Sequence, residues 1–319
     1  MAQFDQRFFV LAPKVVTGIF LEYQQGMPMM DMIFGEREVA DYVYQYHLYG
    51  QVGHMTERVG PGDEPKDNSI QYEERTGRAF EYAESATITE REIRSVADIR
   101  PVLADHARAI SRGMMTRREY EGIKTLLDLN PDSPLAGKGM PAAISTGNPW
   151  SSKSTDIFGQ VADAKNELRK TCFLEGDCLI VSPDDLTNIM KHPDFRQYQL
   201  SGNVFGQEIL RNGSLGRLHG LDIYVHNMVI NVKAQLGKPK LPFPGEPGTR
   251  GTELEPMLQN KAIMIARTPD FAFRSRVMGF YTDGEYIKSR RSYRIYAGEA
   301  YGYTITRPTQ IIHINTDGS

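Results

Sequence analysis

The chain has 319 residues, 24% charged and 40% hydrophobic, with a formal net charge of −3. This composition indicates a folded chain that can bury a substantial core and form more than one lobe. The small negative net charge gives the chain as a whole no attraction for nucleic acid or an anionic membrane, so any DNA contact should be weak and diffuse. No apolar run approaches the roughly 20 residues that cross a bilayer.

Residues 1–35 are predicted to form an arm that lies on another surface. Phe8, Phe9, Phe20 and the methionines between residues 27 and 32 are too apolar for a solvated tail. The covering surface could equally belong to this chain or to a neighbouring one. The start of the chain lacks the charged-then-apolar layout of a signal peptide, so we expect an intracellular setting.

The segment 39–52 alternates, with Tyr42, Tyr44, Tyr46 and Leu48 on one face, and is predicted to be a strand. A polar loop rich in proline and glycine follows at residues 60–67.

The segment 69–84 is predicted to be a β-hairpin that turns at residues 75–77, with Gly77 in the left-handed conformation. In that register three cross-strand pairs face each other: Glu74 with Arg78, Tyr72 with Phe80, and Ile70 with Tyr82. This register pairs opposite charges with each other and apolar side chains with each other, and it leaves one side of the hairpin apolar. Because an isolated two-stranded ribbon is marginal in water, this ribbon needs a partner surface.

Residues 98–130 carry apolar side chains mostly at helical spacing, with charged residues between them, and are predicted to form one long amphipathic helix. Pro101 lies near its start and Asn130-Pro131 ends it. Gly113 and Gly122 each cost about 1 kcal/mol relative to alanine, so packing must hold the middle of the helix. Thr89 and Glu92 form a possible capping box for a short helix before it.

A proline- and glycine-rich loop at residues 130–154 marks a lobe boundary. After it we expect a helix capped by Thr155, a buried strand at 177–182, a short helix capped by Ser182, and strands at 213–227 and 261–266. This succession is typical of a compact α/β lobe. Residues 233–256 are rich in proline, glycine and charge and are predicted to form an exposed insertion. Cys172 and Cys178 are expected to be free thiols.

The last part of the chain alternates again, with predicted strands at 291–308 and 310–314. Strands at both ends of the chain flank the α/β lobe. This arrangement predicts an inserted domain on a platform of strands and one long helix.

No motif for a serine nucleophile, zinc-protease helix, phosphate-binding loop or dinucleotide fold occurs. His219 and His226 would point to opposite faces of one strand, so they do not predict a metal site. The tract Ser151–Ser154 lacks a marked base partner for its serine–lysine pair. No enzyme activity, cofactor or metal is therefore expected.

Four phrases and their order resemble the major capsid proteins of tailed bacteriophages and archaeal tailed viruses, which have the Hong Kong 97-type fold. The phrases are SPDDL (182–186), SLGRLHGLDIYV (214–225), KAIMIA (261–266) and YGYTITRPTQIIHI (301–314). Each is weak alone, and the order carries the resemblance, which covers most of the chain from about Val39.

The resemblance implies an α+β capsid fold with a β-rich peripheral (P) domain and an inserted α/β axial (A) domain. Its parts are then the N-terminal arm 1–35, the first P-domain part 36–144 with an E-loop at 50–86 and a spine helix at 98–130, the A-domain 145–282, and the closing P-domain strands 283–319.

It also implies a structural protein that assembles into hexamers and pentamers, forming an icosahedral shell around double-stranded DNA in a virion built in the host cytoplasm. Neighbouring capsomers would meet through the E-loop and N-arm, with six candidate contacts: Ile70, Tyr72, Glu74, Arg78, Phe80 and Tyr82. Portal, scaffold or decoration proteins are possible partners, and DNA contact would be weak and non-specific. Lys66 is the only lysine in the E-loop region, so a lysine crosslink has no clear support.

Two alternatives remain open on the sequence. One is an encapsulin-like nanocompartment shell, which shares the fold, and the other is a soluble enzyme with an unmarked site. A shell of the first kind should co-purify with a cargo enzyme, whereas a viral capsid gene should lie beside portal, terminase and protease genes.

Overall fold

The structure is a computed structural model. It describes residues 14–22, 29–49, 72–95, 100–129, 135, 140–145, 147–193, 195, 217–218, 220–226, 229–231 and 254–318. The helices are α1 (residues 14–22), α2 (Met29–Ile33), α3 (Glu90–Ser95), α4 (Arg100–Leu126), α5 (Ile157–Cys172) and α6 (Pro183–Lys191). The strands are β1 (Gly35–Glu38), β2 (Val43–Tyr49), β3 (Tyr72–Arg78), β4 (Phe80–Thr89), β5 (Cys178–Val181), β6 (Arg217–Leu218), β7 (Leu221–Val225), β8 (Val229–Asn231), β9 (Leu254–Pro256), β10 (Lys261–Ile265), β11 (Ala272–Ile287), β12 (Ser292–Ile305) and β13 (Ile311–Asn315).

The chain divides into two compact units. Unit 1 comprises Met1–Tyr46, Thr76–Thr125 and Ala272–Thr304. Unit 2 comprises His47–Arg75, Leu126–Phe271 and Ile305–Ser319. None of the helices among the described residues is long and apolar enough to span a lipid bilayer.

The long helix α4 is the main helical element of unit 1. Its 27 residues give a length of about 40 Å, close to the predicted span of 98–130. Leu103, Ala107, Ile110 and Met114 recur at helical spacing and are buried in one cluster. The predicted amphipathic helix is confirmed, because the apolar stripe packs on strand residues of the same unit, such as Ile295.

A four-stranded sheet, in the order β1-β11-β12-β4, provides the surface under that helix. β1 runs parallel to β11, from Gly35 opposite Phe273 to Glu38 opposite Arg276. β12 and β4 are antiparallel over ten residue pairs. A 3₁₀ turn at Lys288–Arg290 joins β11 to β12, and Arg291 after it is left-handed with φ 47°.

The described parts of the N-terminal arm pack on unit 1 of the same chain. Val16 and Phe20 of α1 are buried in the helix–sheet cluster, and the Phe20 ring stacks on Phe280 with centroids 3.6 Å apart. Met30 of α2 is fully buried. The sequence left open whether this chain or a neighbouring one covers the arm, and the described segments are covered by this chain. Residues 1–13 and 23–28 lie outside the described residues.

Both glycines within α4 lie where another side chain approaches the helix. A Cβ added at Gly113 would be 1.8 Å from the Glu84 carboxylate, and one at Gly122 would be 2.5 Å from Cγ and 2.9 Å from Cβ of Met30. The helix tolerates the propensity cost of these glycines because the sheet strand β4 and helix α2 occupy the space that the missing methyl groups leave.

The two sites predict opposite responses to alanine. Gly113→Ala is expected to leave the free energy of unfolding unchanged or raise it by up to about 1 kcal/mol, because the Glu84 carboxylate can swing away and alanine favours the helix. Gly122→Ala should lower it by about 1 to 3 kcal/mol, because Met30 is buried and its own Cβ blocks the space. Chemical denaturation followed by circular dichroism measures both, and equal effects would contradict the packing described.

Unit 2 contains a five-stranded sheet in the order β13-β10-β5-β7-β6. β5 is parallel to β7 and antiparallel to β10, so the sheet is mixed. Helices α5 and α6 accompany it, and Trp150, Leu168, Leu179 and Met264 belong to its buried core. The predicted α/β lobe is confirmed by this sheet and its two helices.

The helix caps in unit 2 follow the predicted chemistry with one correction. Ser182 caps α6 as predicted, its Oγ accepting a hydrogen bond from the Asp185 N–H at 3.0 Å. The cap of α5 is Asp156 and not Thr155, because the Asp156 carboxylate accepts from the Gly159 N–H at 2.8 Å. The Thr155 hydroxyl donates instead to the Pro149 carbonyl at 2.7 Å.

Two predicted domain boundaries need correction. The range 145–282 was assigned to one domain, but β11 begins at Ala272 and pairs with β1 and β12 in unit 1. The range 283–319 was assigned to the other, but β13 pairs with β10 in unit 2. Strand pairing decides both boundaries, and the sequence pattern does not reveal which strands pair. Residues 233–253 of the predicted insertion lie outside the described residues, and its last three form β9.

Candidate functional site

The strands β2 and β3 form a separate two-stranded sheet, here called the ribbon. Along β2 every second side chain is buried, namely Tyr44, Tyr46 and Leu48, which confirms those three positions of the predicted face. Tyr42 precedes the strand and is 37% exposed, so its placement on that face was wrong. Residues 50–71, which connect the two strands in the sequence, lie outside the described residues.

The predicted hairpin at residues 69–84 is wrong. Residues 75–77 lie inside β3, which pairs with β2, whereas β4 pairs with β12. Gly77 makes no turn, because it lies against Tyr44, whose ring atoms would be 2.5 Å from an added Cβ. The Tyr44 hydroxyl shares a hydrogen bond of 2.6 Å with the Thr304 hydroxyl, so an aromatic ring anchored in unit 1 requires glycine opposite it.

The six candidate contact residues therefore fall into different surroundings. Tyr72, Glu74 and Arg78 lie on β3, Phe80 and Tyr82 lie on β4, and Ile70 is outside the described residues. The three predicted cross-strand pairs are not formed among the described residues, because β4 has β12 opposite it, with Phe80 paired to Tyr301 and Tyr82 to Glu299.

Tyr72 keeps the character expected of a contact residue. Its side chain is 52% exposed, and its ring stacks on His47 of β2 with centroids 4.2 Å apart. The stack holds a large aromatic surface in one orientation while leaving half of it in contact with water. Such an exposed, oriented aromatic is typical of an anchor that a partner covers.

The Tyr82 side chain packs against residues of its own unit. Its ring lies 4.8 Å from that of Tyr301, and the Arg117 guanidinium lies over it, 4.8 Å from the centroid. Burial raises the pKa of Tyr82 to about 12. Phe80, two residues earlier, is 49% exposed and remains available on the same strand.

β4 is the outermost strand of its sheet, with no strand beyond it among the described residues. The outer edge of this ten-residue strand has no partner strand, and such an edge is a template for pairing with another chain unless charge discourages it. Here Glu81 and Glu84 are exposed along it. The edge and Phe80 therefore form a second candidate contact surface.

Within unit 1, a buried group of charged side chains connects the N-terminal elements α2 and β1 to the long helix and the sheet. Arg118 of α4 donates from Nε to Glu299 Oε1 of β12 at 2.7 Å, and from Nη1 to Asp31 of α2 at 3.2 Å. Arg274 of β11 donates to Asp31 at 2.8 Å and to Glu36 of β1 at 2.6 Å. Five elements from three distant parts of the sequence thus meet through one chain of ion pairs.

Sequence reasoning missed this ionic cluster, although one indication was present. Tyr293, Ile295, Ala297, Tyr301 and Tyr303 lie at odd positions on the buried face of β12, and Glu299 continues that series. A carboxylate on a buried face needs a charged partner, so Glu299 is the residue from which a buried cation could have been inferred. Nothing local identified Arg118, which is 181 positions away.

Glu119 lies beside this cluster and binds α2. Its Oε1 accepts from the Met30 N–H at 3.1 Å. Burial raises the pKa of Glu119 to about 7, and nearby Asp31 adds to the rise while the Met30 hydrogen bond opposes it. The side chain therefore holds a proton at mildly acidic pH.

The shifted pKa of Glu119 predicts a pH dependence of stability. Because the folded pKa lies above the ordinary value of 4.5, the contribution of protonated Glu119 is complete below pH 4.5 and is lost as the pH rises through about 7. The loss should reach about 2 to 3 kcal/mol. Glu119→Gln, which keeps the acceptor and cannot ionise, should remove that part of the dependence. Thermal melts of both proteins across this range measure the difference, and parallel curves would contradict the assignment.

The histidine and cysteine side chains are relevant to the question of a metal site. Among the described residues no group of three or more histidine, cysteine, aspartate or glutamate side chains is placed to hold a metal ion. His226 is buried, and burial lowers its pKa to about 4. Cys172 and Cys178 are free thiols as predicted, and burial raises the pKa of Cys178 to about 12.

No protein-family model matches this sequence, and no curated protein matches it. Solved structures do match. A phage-related protein from Bordetella bronchiseptica RB50 is 14% identical with a TM-score of 0.67, covering 97% of this chain and 96% of that one. The virus-like particle from Pyrococcus furiosus is 12% identical with a TM-score of 0.58, covering 95% and 98%.

The capsid of cyanophage P-SCSP1u is 13% identical with a TM-score of 0.57, covering 89% of this chain and 86% of its own. The likeness therefore extends over nearly the full length of this chain and of each of these structures. The chain has the fold of tailed-phage major capsid proteins, the Hong Kong 97-type fold.

Proposed function

We propose that this chain is a structural shell protein that assembles with copies of itself into hexamers and pentamers, and through them into a closed icosahedral capsid around double-stranded DNA. One observation carries the proposal: the fold agrees along nearly its whole length with structures described as phage capsids. In this proposal the protein is part of the virion, is assembled in the host cytoplasm and catalyses no reaction.

The unpartnered surfaces support the same function. Tyr72 on the ribbon and Phe80 on the edge strand are aromatic side chains about half exposed. A shell repeats every such contact in every subunit, so that modest contacts made simultaneously give a stable assembly. We propose that neighbouring capsomers meet through the ribbon and its loop, residues 50–71, and through the arm residues before α1.

The proposed domain roles follow the units, with the corrected boundaries. Unit 1 is the counterpart of the P-domain, with α4 as its spine helix, and unit 2 contains the A-domain sheet. A portal, and scaffold or decoration proteins, would complete such a particle as separate chains.

The experiment is to express the full chain and examine it by negative-stain microscopy and sedimentation velocity. Closed particles or capsomer-sized rings are the expected result. A compact monomer at all salt and protein concentrations would refute the proposal.

A second candidate function is a shell that encloses no genome, favoured by the likeness to the virus-like particle from Pyrococcus furiosus. Nuclease protection distinguishes the two contents when particles are isolated from cells that also carry the neighbouring genes. A viral capsid should protect long duplex DNA, whereas a compartment of this second kind should hold protein cargo.

A further inference from the structure

Four cations lie together at one end of the sheet of unit 1. Lys288, Arg290 and Arg291 are exposed at the turn between β11 and β12. Arg91 of α3 is also exposed, and the backbone N–H of its neighbour Glu90 donates to the Arg291 carbonyl at 3.0 Å. This hydrogen bond extends the register in which Thr89 faces Ser292, so α3 and the turn emerge side by side. We call these four residues the basic turn.

None of the four side chains has a carboxylate partner among the described residues. Nearby Arg294 is paired with Glu285 at 3.0 Å. Glu92 accepts from the Thr89 N–H at 2.7 Å in a capping box, as predicted from the sequence, and Glu90 accepts from the Tyr286 hydroxyl. Four cations against these two carboxylates leave the end of the sheet positively charged, although the chain as a whole has a net charge of −3.

The surroundings of the basic turn favour phosphate over a protein surface. Contacts between protein copies have an apolar centre, and no large exposed hydrophobic side chain among the described residues lies at residues 288–294 or at α3. Three of the four cations are arginines, whose forked donors fit phosphate oxygens. Long exposed side chains on a turn suit the sequence-independent backbone of a duplex.

We propose that the basic turn is the surface through which this protein contacts the phosphate backbone of double-stranded DNA. The inference rests on the proposed function, since a capsid subunit meets a packaged duplex. It replaces the expectation of a diffuse contact with a localised one. Binding is electrostatic, carries no base recognition, and weakens steeply with salt because each neutralised phosphate releases a counterion.

The test uses the full chain as unassembled subunits and a fluorescent DNA duplex of mixed sequence. The variant Lys288→Gln/Arg290→Gln/Arg291→Asn removes three charges, with asparagine at residue 291 because that position is left-handed. The control Lys153→Gln/Lys170→Gln/Lys191→Gln removes three exposed charges from unit 2. Arg91→Gln tests the contribution of α3 separately.

Between 50 and 200 mM salt, a contact of four phosphates should lose about 100-fold in affinity, and one phosphate only about fourfold. The parent and the control should show the steep dependence, the triple variant the shallow one, and Arg91→Gln an intermediate one. Equal binding by parent and triple variant, equal weakening by variant and control, or no binding by the parent at low salt would each overturn the proposal.

Sedimentation of the same variants separates this inference from the proposed function. The triple variant should assemble as the parent does. Failure of assembly with unchanged DNA binding would mean that the basic turn contacts another copy of the chain, which would overturn the inference. Failure of the parent itself to assemble would refute the shell function. The DNA-binding comparison would still test the basic turn, because it is made on unassembled subunits.

Discussion

Replacing Arg118 with methionine is expected to lower the free energy of unfolding by about 3 to 5 kcal/mol. Arg118 is 3% exposed and Glu299 is 4% exposed, so the substitution leaves a carboxylate buried without its cation. The same change weakens the attachment of α2, because Asp31 loses one of its two arginine partners. The effect should exceed that of any exposed charge on α4.

A matched control is available on the same helix. Arg108 pairs with Asp105 at 2.8 Å, but both side chains are more than half exposed, so Arg108→Met should cost less than about 1 kcal/mol. The double variant Arg118→Met/Glu299→Leu should recover much of the loss, because neither buried charge of that pair remains. Similar losses for Arg118→Met and Arg108→Met would contradict the buried cluster.

The measurement must report on unit 1. Trp150 is the only tryptophan in the sequence and belongs to the core of unit 2, so its fluorescence would follow the other unit. Calorimetry and far-ultraviolet circular dichroism report on both units, so a transition that does not coincide with the change in Trp150 fluorescence belongs to unit 1. A two-transition melt in which only one transition moves would assign the effect to unit 1.

The second large effect concerns assembly. Tyr72→Ser and Phe80→Ser, singly and together, should prevent or strongly weaken particle formation while leaving the thermal midpoint nearly unchanged. Both side chains are about half exposed, so they contribute little to the fold of the subunit. At a repeated interface each anchor contributes about 1 to 3 kcal/mol, and the loss is multiplied over every copy.

The control is Phe173→Asn in unit 2, where a 66% exposed aromatic lies at a left-handed position after α5. It removes the same kind of surface away from the ribbon and should assemble normally. Tyr82 is unsuitable for this test because it packs on Tyr301 and Arg117 in its own unit. Normal assembly of the double variant, or its outright unfolding, would show that these aromatics are not contacts between subunits.

The elements that the sequence predicted well are those whose causes are local. The spine helix α4 follows from apolar spacing over 27 residues, and the Thr89–Glu92 capping box and the Ser182 cap involve residues three positions apart. The strand β10 lies within the predicted range 261–266, because a short run that is apolar after Lys261 and bounded by turns has few other solutions.

The elements that failed are those decided at long range. The segment 69–84 could satisfy its charges and aromatics as a hairpin, yet β3 pairs with β2 across the intervening residues 50–71. Closing a longer loop costs little extra free energy, so nothing in the local pattern forbids the longer connection. Gly77 allowed both interpretations, since a glycine serves equally for a turn and for the close approach of an aromatic ring.

The ionic cluster shows the same limit for the candidate site. On the sequence Arg118 is one of several cations of an amphipathic helix, and only the fold places it against Glu299. Four of the six candidates, Tyr72, Glu74, Arg78 and Phe80, are exposed on β3 or β4. Their partner surface in another copy remains a prediction.

The most direct test of a shell built through the ribbon is a cryo-electron microscopy reconstruction of the particles formed by the full chain. We expect a closed icosahedral shell of hexamers and pentamers in which the exposed face of Tyr72 is covered by a neighbouring subunit. Grids that contain only monomers, or a shell in which Tyr72 faces solvent in every subunit, would contradict it.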